Sequence, residues 1–235
     1  ETDTAGNVSA IVNRLVEVVS TSSITGTQDG TNAAVNYSGV TDLTLSGDTV
    51  FNSWTTAKLP KKIIAAGNKI TFGANSTVDL SGVTLDTLGN LDLIDNTVSL
   101  TMSANQATAF NAGTINTSSG GVTNGVILVT AGGDLTTQDL AKVTLTLNAD
   151  TTMVDATADV PLSINAASNQ ITISNDLDIS GVTTTNLGAL VISDTTNVTM
   201  TIAQHNAFSS IVATGVGQTI TLQDAGTAVG NAAIE

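Results

Sequence analysis

The sequence predicts a mainly β chain wound as a parallel β-solenoid, with short helices capping the column or inserted into it. Three observations carry that expectation: an internal duplication of about 100 residues, short runs of alternating apolar residues, and an unusual poverty of aromatics. Tandem β-sandwich domains of the same length are the competing architecture.

The duplication is read from landmarks. ITFGANSTVDLSGVT begins at Ile70, and ITISNDLDISGVT begins at Ile171. Leu88-Gly89 matches Leu187-Gly188, and Gln106…Phe110 matches Gln204…Phe208. The offset is 101 at the first landmark and 98 at the last. Upstream, Leu43 and Leu45 match Leu145 and Leu147, and Ile64 matches Ile164. A shorter echo, Ser-Gly-Val-Thr, ends at Thr41, Thr84 and Thr183 and hints at a smaller rung. The expected division is an amino-terminal helix and entry segment at 1–38, a first unit at 39–138, and a second unit at 139–235 that includes the start of a further one.

The elements follow in order. Val8, Ile11, Val12, Leu15, Val18 and Val19 fall on one face of a helix over residues 3–19, a candidate cap for the column. From Thr41 onward the period changes to two. Leu43/Leu45, Ile70/Phe72, Val78/Leu80, Leu91/Leu93 and Val98/Leu100/Met102 each read as a strand with one buried face. Residues 122–130 read as a buried strand. Gly, Asn and Asp between the runs (46–48, 65–68, 73–75, 88–90) supply the tight corners. Ser103 with Gln106, and Thr201 with Gln204, have the three-residue spacing of a capping box, so each copy should hold one short helix. Gly113 and Gly215 are the expected stops.

Phe51, Phe72, Phe110, Phe208, Trp54 and Tyr37 are the only aromatics, and Trp54 has no counterpart in the second copy. A thin core of stacked Val, Ile and Leu needs few large side chains, which favours the solenoid over sandwiches. With no cysteine, disulfides, thiol catalysis and zinc-thiolate sites are excluded. The net charge of −14, from 20 acidic and 6 basic residues, disfavours nucleic acid and anionic membranes as partners. The opening at Glu1, without an initiating Met, reads as a piece of a longer chain.

Chemistry is sparse. Asp92 and Asp95 beside Asn96, and Asp176 and Asp178 after Asn175, are the candidates for a Ca²⁺ site or for glycosidic acid–base work; the competing reading is chain-turning corners. His205 is the only histidine, and Ala107 aligns with it, so an exposed helix position is expected. A polysaccharide lyase would need a cationic group, and Arg14 is the only arginine. Lys58, Lys61 and Lys62 around Pro60 form a solvated corner or a contact to an acidic neighbour or polysaccharide. The Thr144/Thr146 and Thr199/Thr201 pairs lack the fixed short period of an ice-binding ladder. No phosphate-cradling loop is present. No residue is assigned a catalytic, cofactor-binding or metal-ligating role, and no cofactor is expected.

The DTAGNV opening and the VTMTIAQHNAF segment at 198–208 resemble the repeat arrays of very large secreted bacterial surface proteins, adhesin-like or surface-layer-like. The resemblance implies an extracellular, non-enzymatic structural or adhesive module at the cell surface. Its expected partners are neighbouring repeat units of the same parent chain, and polysaccharide or another cell surface. A carbohydrate-binding or polysaccharide-cleaving solenoid and a self-assembling surface-layer or fibre protein are the alternatives. The glycine-aspartate calcium nonapeptide of many such proteins is absent; AGGDL at 131–135 does not match it.

Overall fold

The computed structural model describes residues 21–32, 35–94, 97–110, 115–116, 126–129 and 132–229. The helix expected over residues 3–19 lies outside them, as do Asp95, Asn96 and Gly113.

Among the described residues every strand pairing is parallel, and the chain forms a β-solenoid of about eight turns with two short helices. A sandwich of hairpins would need antiparallel neighbours, so that alternative is excluded. The strands are β1 (Thr21–Asp29), β2 (Asp42–Asn52), β3 (Lys62–Ile64), β4 (Ile70–Phe72), β5 (Thr77–Asp79), β6 (Thr84–Asp86), β7 (Leu91–Leu93) and β8 (Ser99–Met102). Helix α1 (Ala104–Thr108) follows, then β9 (Ile115–Asn116), β10 (Val126–Val129), β11 (Gly133–Asp134), β12 (Thr144–Leu147) and β13 (Thr151–Thr152). The chain continues through β14 (Ser163–Asn165), β15 (Ile171–Ile173), β16 (Leu177–Asp178), β17 (Thr183–Thr185), β18 (Ala189–Ile192) and β19 (Asn197–Met200). Helix α2 (Ile202–Ala207), β20 (Ser210–Ala213) and β21 (Thr219–Leu222) complete it.

Paired residues in successive turns are about 20 apart, as in Thr21↔Asp42↔Lys62↔Thr84. The turn that carries α1 is longer, with Ser99 opposite Val126. At one inter-strand spacing per turn, eight turns make a column about 40 Å long. Alternation sends Leu43, Leu45, Ile63, Ile70, Leu91, Leu100, Leu145, Ile164, Leu190 and Val198 into one continuous apolar core from Ile24 to Ile211, so that Ile63, opposite Leu43, and not Ile64 is the counterpart of Ile164, opposite Leu145. Each such side chain contributes about 1.5–3 kcal/mol by leaving water. That stack holds the column, because exposed polar contacts contribute far less each.

The short echo in the sequence marks a recurring corner. In 36–40, 79–83, 139–143 and 178–182 the first residue is Asn or Asp and the last is Val. The side-chain oxygen of Asn36, Asp79, Asp139 or Asp178 accepts the backbone N–H two residues on. The Val N–H then bonds the carbonyl three residues back, at Tyr37, Leu80, Leu140 and Ile179. The next residue or two leads into a strand.

Both capping boxes are formed. Ser103 Oγ accepts the Gln106 N–H, and Gln106 Oε1 accepts the Ser103 N–H; Thr201 and Gln204 repeat the arrangement. The amide of each Gln also donates to two carbonyls of the turn below: Leu80 and Val83 for Gln106, Ile179 and Val182 for Gln204. Gly215 does not stop α2. The helix ends where Phe208 turns extended, and β20 intervenes before Gly215. Phe208 is buried, so its side chain anchors the exit into the core and no left-handed glycine is needed there.

Candidate functional site

Two equivalent clefts open where a proline turn faces the recurring corner of the next turn. The first, about 350 Å³, lies among Thr56, Leu59, Pro60, Lys61, Asp79, Ser81, Gly82 and Val83. The second, about 330 Å³, lies among Thr157, Val160, Pro161, Leu162, Asp178, Ser180, Gly181 and Val182. The local geometry repeats as well. A 3-10 turn at Thr56–Lys58 or Thr157–Asp159 brings a threonine over the strand end, where its Oγ1 accepts the N–H of Asp79 or Asp178 at 2.9 or 3.0 Å. Each cleft therefore offers hydroxyls and one carboxylate over an apolar floor of Pro and Val. Neither lining supplies a second carboxylate to flank a glycosidic bond.

A third cleft, about 380 Å³, joins Asp134 and Asp150 from adjacent turns with Thr151, Thr152, Gln170 and Thr172. One oxygen of each acid is already committed, to the N–H of Thr136 and of Gln170. Sequence reasoning missed this pair because the two acids are brought together by strand stacking between β11 and β13.

The acids expected as oxygen clusters are separated in role. Asp92 sits at the centre of β7, buried, and not at a corner. Its Oδ2 lies 3.8 Å from Lys69 Nζ, and its Oδ1 has no hydrogen-bond partner. Asp176 holds the Asn197 side chain and N–H, and the Asn197 side-chain bond first, then the backbone bond, keeps its carboxyl below the usual range. Asp178 is a corner residue that also receives Gln223 Nε2. Among the described residues no group of three His, Cys, Asp or Glu side chains is placed to hold a metal ion.

The basic cluster is also dispersed. Lys58 Nζ donates to the carbonyls of Gly30 and Asn32. Lys62 pairs with Asp86 one turn on at 2.7 Å; that bond raises the lysine and lowers the carboxylate. Lys61 lines the first cleft. His205 is half-buried on α2, with Nδ1 3.1 Å from Asn206 Oδ1. Among the described residues no helix is long and apolar enough to cross a membrane.

Comparison with known protein families, curated proteins and solved structures finds no match.

Proposed function

We propose that this chain is a structural and adhesive module of a large secreted bacterial surface protein. It works as a stiff spacer that presents polar side chains at fixed intervals. The observation that carries this reading is the unbroken apolar column through both copies, with the repeated polar residues used in stacking one turn on the next. Asn68 and Asn169 donate to the carbonyls of Leu45 and Leu147 below them. Asp48 and Asp150 accept the N–H of Lys69 and Gln170 above. Residues retained in both copies thus serve the column, which leaves the exposed and unrepeated positions for contacts.

The test is saturable attachment of beads coated with the chain to bacterial cells and to immobilised polysaccharides. Attachment without product release is expected. New reducing ends or unsaturated sugars after incubation would overturn the reading in favour of an enzyme. The twin clefts favour a second reading, carbohydrate binding, since a hydroxyl-lined cleft with an apolar floor matches the two kinds of surface on a sugar ring. Loss of polysaccharide binding in a Ser81→Leu, Ser180→Leu double variant would select it.

A further inference from the structure

The twin clefts share their geometry and differ at the carboxylate. In both, Oδ1 of the corner acid accepts the backbone N–H two residues on, at Ser81 or Ser180. Among the described residues no further donor reaches the Asp79 side chain, so its Oδ2 is open. The Oδ2 of Asp178 instead accepts from Gln223 Nε2 at 3.2 Å. Gln223 follows β21, the second strand above β16 in its ladder. Strand β10 is the counterpart of β21, since Val129 lies opposite Met102 as Leu222 lies opposite Met200. The residue that follows β10 in sequence is Thr130, which has no amide to offer.

The rest of the first lining suits a sugar ring. Thr56 Oγ1 accepts the Asp79 N–H, which leaves the hydroxyl proton to give away. Ser81 is exposed beside it, and a hydroxyl both donates and accepts. Neighbouring hydroxyls of a ring can donate to the carboxylate and receive from Thr56 or Ser81, while the C–H face covers Pro60 and Val83. Asp79 is the only acid of this lining and Lys61 the only base, so a uronic or sulfated sugar gains no net attraction there. It also meets a chain at −14.

We infer that the two clefts are unequal subsites for a neutral hexose residue of a polysaccharide. The first binds it through the open oxygen of Asp79. The second binds it more weakly, because Gln223 competes for Asp178. A hydrogen bond to a charged group shifts an equilibrium by about tenfold or more, so the first cleft should be tighter by about that factor. This rests on the carbohydrate-binding reading of the clefts given above. It adds which cleft leads, which side chain selects the ligand, and that the ligand is uncharged.

Affinity electrophoresis of the whole chain through gels containing dextran, mannan, galactan or polygalacturonate supplies the test. Retardation by a neutral polymer and not by polygalacturonate is expected. Asp79→Asn keeps an acceptor for the Ser81 N–H and removes the open one, so it should weaken retardation by about tenfold at an unchanged melting temperature. Asp178→Asn should change it by about twofold or less. Gln223→Ala frees Asp178. Titration calorimetry with a hexasaccharide of the retarding polymer should then find two sites of similar affinity, where the unmodified chain has one tight and one weak. Equal losses from Asp79→Asn and Asp178→Asn, with neutral polymer still bound, would overturn the inequality and leave the carbohydrate reading standing. A preference for polygalacturonate would overturn the neutral ligand. Retardation in none of the gels would overturn both the inference and the reading beneath it.

Discussion

The two copies use the same stacking residues and different fillings. The first copy buries Trp54 against Phe51, with ring centroids 4.4 Å apart, and against Tyr37 at 5.7 Å. The second is one residue shorter here and buries Val154 and Met153. The extra residue of the first copy is accommodated by Ser53 at φ 53°, whereas no left-handed residue is needed between Thr152 and Asp159. The backbone path is therefore set by what repeats, and the interior tolerates different volumes provided each turn is locally filled.

The copies also stand on different faces. Strands β3 and β14 are equivalent in sequence, yet β3 belongs to the seven-stranded sheet and β14 to the six-stranded sheet that contains β5. From β3 the chain advances two faces to β5 and then climbs that one ladder through β8, β10 and β12 to β14. The repeat length is not a whole number of turns, so the twin clefts open on different edges of the column.

The comparison breaks most sharply at the aromatic cluster. Trp54→Ala should cost about 3–5 kcal/mol, and Val154→Ala distinctly less, since fewer buried atoms are removed. Urea unfolding followed by circular dichroism measures both. In the unmodified chain, Trp54 fluorescence reports the first copy alone, and a midpoint equal to that from circular dichroism would show that the copies unfold together.

Next come the glycines. A methyl on Gly89 would run into the carbonyls of Gly67 and Asn68, and one on Gly188 into those of Ser168 and Asn169; Gly82 and Gly181 face open space. Gly89→Ala and Gly188→Ala should each cost about 1–3 kcal/mol. Gly82→Ala and Gly181→Ala should leave the denaturation midpoint nearly unchanged. Equal costs at all four would remove close stacking as the reason that Leu-Gly repeats.

Asp92 is the sharpest single difference between matched strands, because Val191 stands at its place. Asp92→Val removes a buried carboxylate with an unpartnered oxygen and should raise stability by about 1 kcal/mol, read as a higher melting temperature. A fall would mean that the contact to Lys69 outweighs the cost of burying the charge.

The smallest effect concerns Asp159. Burial, then the charges of Asp139 and Asp155, raise its carboxyl above the usual value. The folded state therefore holds this proton more tightly than the unfolded state does, and the ionised group opposes folding at neutral pH. That opposition fades as pH falls through the raised value. Asp159→Asn should raise the melting temperature slightly at pH 7 and not at pH 3.

Much of the fold was legible in the residues. Alternation at Leu43/Leu45 and Leu91/Leu93 reported strands with one buried face, since side chains two apart share a face. Ser103…Gln106 and Thr201…Gln204 reported helix starts, because a capping box is a local hydrogen-bond pattern. The corner acid was harder: Asp178 reads as a site residue until the same turn is seen at Asn36, Asp79 and Asp139. The cleft that joins Asp134 to Asp150 had no local signal at all.

The sequence by itself determined the mainly β class, the strand periods and the caps, because these depend on residues within a few positions of one another, and the repeat, because the chain can be compared with itself. Only the tertiary structure decided which turn lies on which, the rotation of one copy against the other and the burial of Asp92. Those depend on the number of residues in each turn and on contacts about 20 positions apart, where a change of one residue moves every later strand relative to the ladder beneath it.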